Sequence, residues 1–127
     1  MVRIKSYNTH DWVYGECIRR ISSYIYEIFT WDKGIVQIVA DAGTLGREIG
    51  QRDRNGNSIY TDDIVLFANT GRKCVVKWAD DLGKYCLVDI ADIDFVVDFT
   101  LCYGRDLEVV GDFYEDCYEE IRKSRDI

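Results

Sequence analysis

Between residues 73 and 101 the chain alternates between water-seeking and water-avoiding side chains, and only an extended strand spaces its side chains with a period of two. Lys73, Val75 and Lys77 alternate with Cys74, Val76 and Trp78; beyond Ala79-Asp80-Asp81-Leu82-Gly83, Lys84, Cys86 and Val88 alternate with Tyr85, Leu87 and Asp89. Folding at the intervening turn places Trp78 opposite Tyr85 and Val76 opposite Leu87, which predicts a hairpin. Next, Ile93, Phe95, Val97, Phe99 and Leu101 share one face, and Asp94, Val96, Asp98 and Thr100 the other. A further strand is therefore expected there, with Asp94 and Asp98 turned outward as a candidate interaction face.

The stretch Gly50 to Phe67, GQRDRNGNSIYTDDIVLF, is dense in turn formers. Asn55-Gly56 is the dipeptide that most readily supplies the two positive φ angles of a type I′ hairpin, and Asp53 stands where it can bond the turn's own backbone. Ile59 and Tyr60 then lead into Thr61-Asp62-Asp63, a second corner feeding the β-branched run Ile64 to Phe67. Asp62 and Asp63 invite a reading as an acid and base pair, but neighbours on a strand point to opposite faces and their carboxylates would diverge. A structural corner accounts for both.

The remaining segments are placed by the same reasoning. Val2 and Ile4 open a strand that turns near Tyr14-Gly15. Between Glu16 and Trp31, Ile18, Ile21, Tyr24, Ile25, Ile28 and Phe29 recur at steps of three and four, which predicts a helix, although so many β-branched and aromatic residues also suit a strand. Gly34 breaks that pattern, IVQIVA (35 to 40) reads as a buried strand, and LEVVG (107 to 111) as another. From Asp112 onward Phe113, Tyr114, Cys117, Tyr118 and Ile121 form a helical stripe, with acids early and bases late in accord with the helix dipole, so a C-terminal helix is expected. The chain has no Pro, so its turns rest on Gly, Asn and Asp.

Composition narrows the functions. With 127 residues, 47% of them hydrophobic, the chain fits a single domain spanning 1-127. No apolar run approaches the ~20 residues of a membrane span, and the first residues lack a signal-peptide core, so a soluble cytoplasmic protein is expected. Five cysteines (Cys17, Cys74, Cys86, Cys102, Cys117) contain no C-x-x-C pair, and His10 is the one imidazole. Reduced thiols follow, and neither a zinc ribbon nor a disulfide framework. Cys74 or Cys117 as a nucleophile would need a base that only His10 could supply, so a small buried apolar role is the simpler reading.

The net charge of -7 is unevenly distributed: residues 78 to 120 carry 13 Asp/Glu against 2 Lys/Arg. That disfavours a phosphate-tracking surface and suits a solvated acidic face or a basic protein partner; a modest basic patch could form only from Arg47, Arg52, Arg54, Arg72, Lys73 and Lys77. Asp89, Asp92, Asp94 and Asp98 lack the Gly and closing Glu of a calcium loop, so neither a metal nor another cofactor is expected.

The stretch TLGREIGQRDRNGNSIYTDDIV (44 to 65) resembles the signature of the YopX family of phage and prophage proteins, a threonine and glycine lead, D-x-N-G, then I-Y-x-x-D-I-V. Arg3-Ile4-Lys5 and Trp12-Val13-Tyr14-Gly15 resemble the family's opening, and VVGDFYE (109 to 115) its closing segment, with residues 16 to 43 matching least. Two departures stand out: Asp62 replaces the usual Gly before the aspartate, which puts the positive φ of that corner in question, and Cys117 stands where Pro is expected. The resemblance implies a mainly β protein whose strongly bent sheet curls into pseudo-barrels of SH3-like hairpins. It implies structural roles for Asp53, Gly56, Ile59, Tyr60, Asp63, Ile64 and Gly111, and it carries over no catalytic residue. The reading that follows is a non-enzymatic phage or prophage accessory protein of the bacterial cytoplasm that binds an unknown, basic protein, with a homo-oligomer compatible. The alternative is a small-barrel nucleic-acid-associated module, which rests on fold analogy.

Overall fold

Extended backbone dominates, as the alternation requires. The computed structural model describes residues 1–68, 70–92, 94–99 and 104–114, and these divide into two compact units, Met1–Glu48 and Ile49–Ile127. Among the described residues no helix reaches seven residues; the strands form three antiparallel sheets.

In the first unit β1 (Val2–Lys5) pairs with β2 (Trp12–Gly15), Ile4 facing Val13 and Lys5 facing Trp12. The Trp12 ring carries the Arg3 guanidinium at 3.9 Å and the Lys5 ammonium at 4.7 Å, so both cations are buried against an aromatic face that attracts positive charge. A second, three-stranded sheet has the order β3-β4-β5, from β3 (Cys17–Arg20), β4 (Ile25–Thr30) and β5 (Gly34–Val39). Ile4, Tyr26, Ile28 and Ala40 form the core here, with Val13, Ile18 and Ile38 packed against it. Gly15 is needed for close approach, because a Cβ there would overlap Ile28 Cγ2 and crowd the Phe29 carbonyl at 2.7 Å.

The helix expected over residues 16 to 31 is therefore a hairpin. Its three- and four-residue spacing arises from two strands separated by a turn: Ile18 lies directly opposite Ile28, and Ile21 N–H bonds the Ile25 carbonyl to close the loop. Within β4 the true period is two, Tyr26 and Ile28 turning to the core while Ile25, Glu27 and Phe29 turn away. The β-branched and aromatic content, unfavourable in a helix, prevails over the spacing. β5 differs from expectation as well, since only alternate residues are covered and Ile35 and Val39 are exposed.

β6 (Gly46–Arg52) pairs its first residues with β1 and continues into the second unit, where β7 (Ser58–Tyr60) lies beside it. The five-stranded sheet of that unit has the order β11-β10-β9-β8-β12, from β8 (Asp63–Phe67), β9 (Lys73–Ala79), β10 (Lys84–Asp89), β11 (Val96–Asp98) and β12 (Leu107–Asp112). The expected register between β9 and β10 is present, Trp78 opposite Tyr85 and Val76 opposite Leu87, and the first pair packs edge to face at 4.8 Å. Ile59, Val65, Cys74, Val76, Leu87, Phe99 and Leu107 make the core. Burying such aliphatic side chains contributes about 1.5–3 kcal/mol each.

β11 is shorter than the alternation suggested. A turn in which Phe95 N–H bonds the Asp92 carbonyl occupies its expected start; Val97 and Phe99 still pack on the core, while Ile93, Thr100 and Leu101 lie outside the described residues. The expected curling into pseudo-barrels is not found: among the described residues no closed or curled barrel forms, and the five-stranded sheet ends at β11 on one side and β12 on the other. The C-terminal helix falls almost wholly on residues 115 to 127, outside the described residues.

Candidate functional site

Acidic side chains at corners dominate the second unit, and what each carboxylate touches decides what it can do. Asp53 precedes the three-residue loop Arg54-Asn55-Gly56. Its Oδ1 accepts the N–H groups of Asn55 at 2.9 Å and Asn57 at 2.8 Å, and its Oδ2 accepts that of Val109 on β12 at 2.9 Å. Burial pushes this carboxyl up, but the Val109, Asn57 and Asn55 amides outweigh it, and the pKa is lowered from the ordinary value. Gly56 N–H bonds the Asp53 carbonyl, and only Gly56 in the loop has a positive φ, 83°. The turn is thus a four-residue turn, Asp53 to Gly56, whose last residue is the left-handed glycine, and not the type I′ turn expected from Asn55-Gly56; the extra loop residue lets Asp53 cap it.

The second corner keeps the left-handed geometry that a glycine would normally supply. Asp62 adopts φ 69°, its N–H bonds the Val76 carbonyl, and its carbonyl accepts Phe113 N–H. The side chain is nearly buried: Oδ1 meets Lys77 Nζ at 2.5 Å and Oδ2 accepts the Tyr114 hydroxyl at 2.6 Å. The Lys77 ammonium also lies 5.2 Å from the Phe113 ring centroid. Asp63 turns elsewhere, its Oδ2 accepting Tyr60 N–H at 2.8 Å, so the two adjacent carboxylates do diverge and make no acid and base pair. Ile59 is fully buried, Tyr60 and Ile64 nearly so, and Gly111 faces Ile64 beside a bulge at Val110 that leaves Val110 exposed.

Asp89 ends β10. Its Oδ2 pairs with Arg72 Nη1 at 2.9 Å, and its Oδ1 accepts the amides of Ala91 and Asp92, while the Arg72 guanidinium stacks 3.9 Å from the Phe95 ring centroid. The Ala91 amide, opposed by burial and joined by Arg72, holds the Asp89 carboxyl below its ordinary pKa. Asp92 accepts the Asp94 amide. Asp94 itself is exposed, as expected, but Asp98 is half-buried with Oδ2 on Lys84 Nζ at 2.8 Å, which raises the lysine's pKa. The expected outward pair is therefore one exposed aspartate and one bound to the neighbouring strand. Asp80 and Asp81, at the exposed β9–β10 turn, were not singled out from the sequence.

Of the six bases considered as a basic patch, Lys77 and Arg72 hold carboxylates and Arg52 Nη1 bonds the Gly56 carbonyl at 3.2 Å. Cys74 and Cys86 are buried thiols, which fits a packing role, and Cys17 is exposed; Cys117 lies outside the described residues. Among the described residues no cluster of three or more potential ligands could hold a metal ion.

Sequence reasoning missed one surface. Trp31, Tyr24, Ile35 and Val39, in the first unit, are 79%, 69%, 68% and 43% exposed. Trp31 packs edge to face on Phe29 at 5.4 Å, and beside them a groove of about 320 Å³ is lined by Cys17, Ile18, Arg19, Glu27, Phe29 and Ile35. The sequence carries little signal, because Ile35, Val36, Ile38 and Val39 put apolar residues on both faces of β5 with Gln37 alone polar, and such a run reads as a strand covered on both faces. Compared with known families, residues 3–118 match the family described as YopX protein. No curated protein matches the chain.

Proposed function

The chain belongs to the YopX family, and from that premise we propose that it is a non-enzymatic, phage- or prophage-encoded accessory protein that acts in the bacterial cytoplasm by binding a basic protein. One observation carries this reading. The shielded carboxylates Asp53, Asp62, Asp63 and Asp89 are each held by backbone amides, Lys77, Tyr114 or Arg72, while the acids at turn tips, Asp80, Asp81 and Asp94, face solvent. Carboxylates fixed in this way serve the corners, and proton transfer to a substrate would break the contacts that form them. The exposed acids belong to a unit with 17 Asp/Glu and 10 Lys/Arg, whose field draws a basic surface and repels phosphate. Loss of Arg72 and Lys77 to internal pairs weighs against the nucleic-acid alternative.

The test is affinity capture from a bacterial host lysate at low and physiological salt, with wild type beside the triple variant Asp80→Asn, Asp81→Asn, Asp94→Asn. The expected result is a basic protein retained by wild type, released as salt rises and lost with the variant. Equal retention by both would contradict binding through the acidic surface.

A further inference from the structure

We propose that the outer face of the β3-β4-β5 sheet is where two copies of this chain associate. The inference stands apart from the acidic surface, because it concerns the first unit and a different kind of contact. One side of this sheet is committed to the core through Tyr26 and Ile28. A sheet with one side covered normally turns polar side chains to water on the other. Here that other side carries Ile25, Phe29, Ile35 and Val39, with Trp31 packed edge to face on Phe29 at the end of the hairpin, while Arg19, Glu27 and Gln37 form a single polar row across its middle. Exposed apolar side chains gathered on either side of one polar row mark a contact that is buried in use.

Charge selects the occupant. Residues 1 to 48 hold 6 Lys/Arg and 6 Asp/Glu, whereas residues 49 to 127 hold 10 against 17. Two copies of a chain of net charge -7 repel through their acidic units, and the neutral unit is where they meet at the least electrostatic cost. A strongly basic or acidic partner would find no net charge to grip on this face. An ion pair across it, Arg19 Nη2 to Glu27 Oε2 at 2.7 Å, sets opposite charges side by side. Under a two-fold axis such a surface complements itself, Arg19 of one copy reaching Glu27 of the other. Edge-to-edge pairing of β3 is disfavoured, because it would bring Arg19 and Arg20 of each copy together on a four-residue strand. The association is therefore face to face.

The experiment is sedimentation velocity of the full chain from about 1 µM to about 200 µM, a range that brackets ordinary weak dimers, at low and physiological salt. Wild type should pass from monomer to a species of twice the mass, more readily at higher salt as repulsion between the acidic units is screened. The variants Trp31→Lys and Ile35→Lys should stay monomeric throughout. Both positions are exposed, so circular dichroism and thermal melting should match wild type. Maleimide labelling of Cys17, which lies on this face, should slow as wild-type concentration rises and should not slow in Ile35→Lys. A wild-type chain that stays monomeric across the range overturns the proposal, as does a dimer that survives Ile35→Lys. Capture of a different protein on this face by a monomeric chain overturns it too, while leaving the acidic-surface reading untouched.

Discussion

The N–H of Val109 donates to Asp53 Oδ2 at 2.9 Å across fifty-six positions of sequence, and this bond fastens the loop after β6 to the closing strand β12. The other oxygen of the same carboxylate holds the loop itself, through Asn55 and Asn57. One side chain thus joins a local turn to the most distant strand pairing of its unit.

Removing that carboxylate leaves three amides without their acceptor at a partly buried corner. Asp53→Ala should destabilise the fold by about 2–4 kcal/mol, and Asp53→Asn should cost nearly as much, because its NH2 must face at least one backbone N–H. Chemical denaturation monitored by tryptophan fluorescence measures both.

The pH dependence has a definite sign. The folded pKa of Asp53 lies below its ordinary value, so its contribution is fully present above the unfolded pKa of about 4 and is lost as pH falls through the lower folded value. Denaturation midpoints of wild type should drop between about pH 5 and about pH 2, and the Asp53→Asn series should fall less steeply over the same window.

The loop offers a sharp contrast. Gly56 has φ 83°, and nothing lies within 4 Å of the place a Cβ would take, so the cost of a side chain there is purely conformational. Gly56→Val should destabilise by about 1–3 kcal/mol, and Asn55→Ala by under about 0.5 kcal/mol, since Asn55 does not share the left-handed backbone. A type I′ turn would make both positions sensitive. Thermal melts of the two variants separate the geometries.

At the second corner two effects oppose each other. Asp62→Gly relieves the positive φ but removes the acceptor used by Lys77 and Tyr114, whereas Asp62→Ala loses the acceptor and keeps the strain. The alanine variant should be less stable than the glycine variant by about 1 kcal/mol. A double-mutant cycle of Asp62→Gly with Tyr114→Phe should give a coupling of about 0.5–2 kcal/mol.

What could be read from sequence depended on how local the determinant is. The β9–β10 hairpin was legible because Trp78, Tyr85, Val76 and Leu87 alternate close to one turn, and the observed register pairs them as expected. Residues 16 to 31 misled because Ile18 and Ile28 belong to different strands, and a spacing measured along the chain conflates strand, turn and strand. Asp53 was legible as a turn former, but its bond to Val109 was not, since nothing near either residue encodes so distant a pairing. The same limit hid the Lys84 partner of Asp98, which sits on a neighbouring strand. The position of Asp62 in the family motif marked a corner; the side chain's contacts with Lys77 and Tyr114 appear only once β9 and the end of β12 are placed beside it.

If the chain meets a protein and not a nucleic acid, as proposed, fluorescence anisotropy with a labelled short duplex and a labelled single strand, at low and physiological salt, separates the two. With Arg72 and Lys77 paired internally and the second unit acidic, wild type should give no saturable change up to about 100 µM chain at physiological salt. Saturable micromolar binding that disappears when Arg52 and Arg54 are reversed to Glu would contradict it.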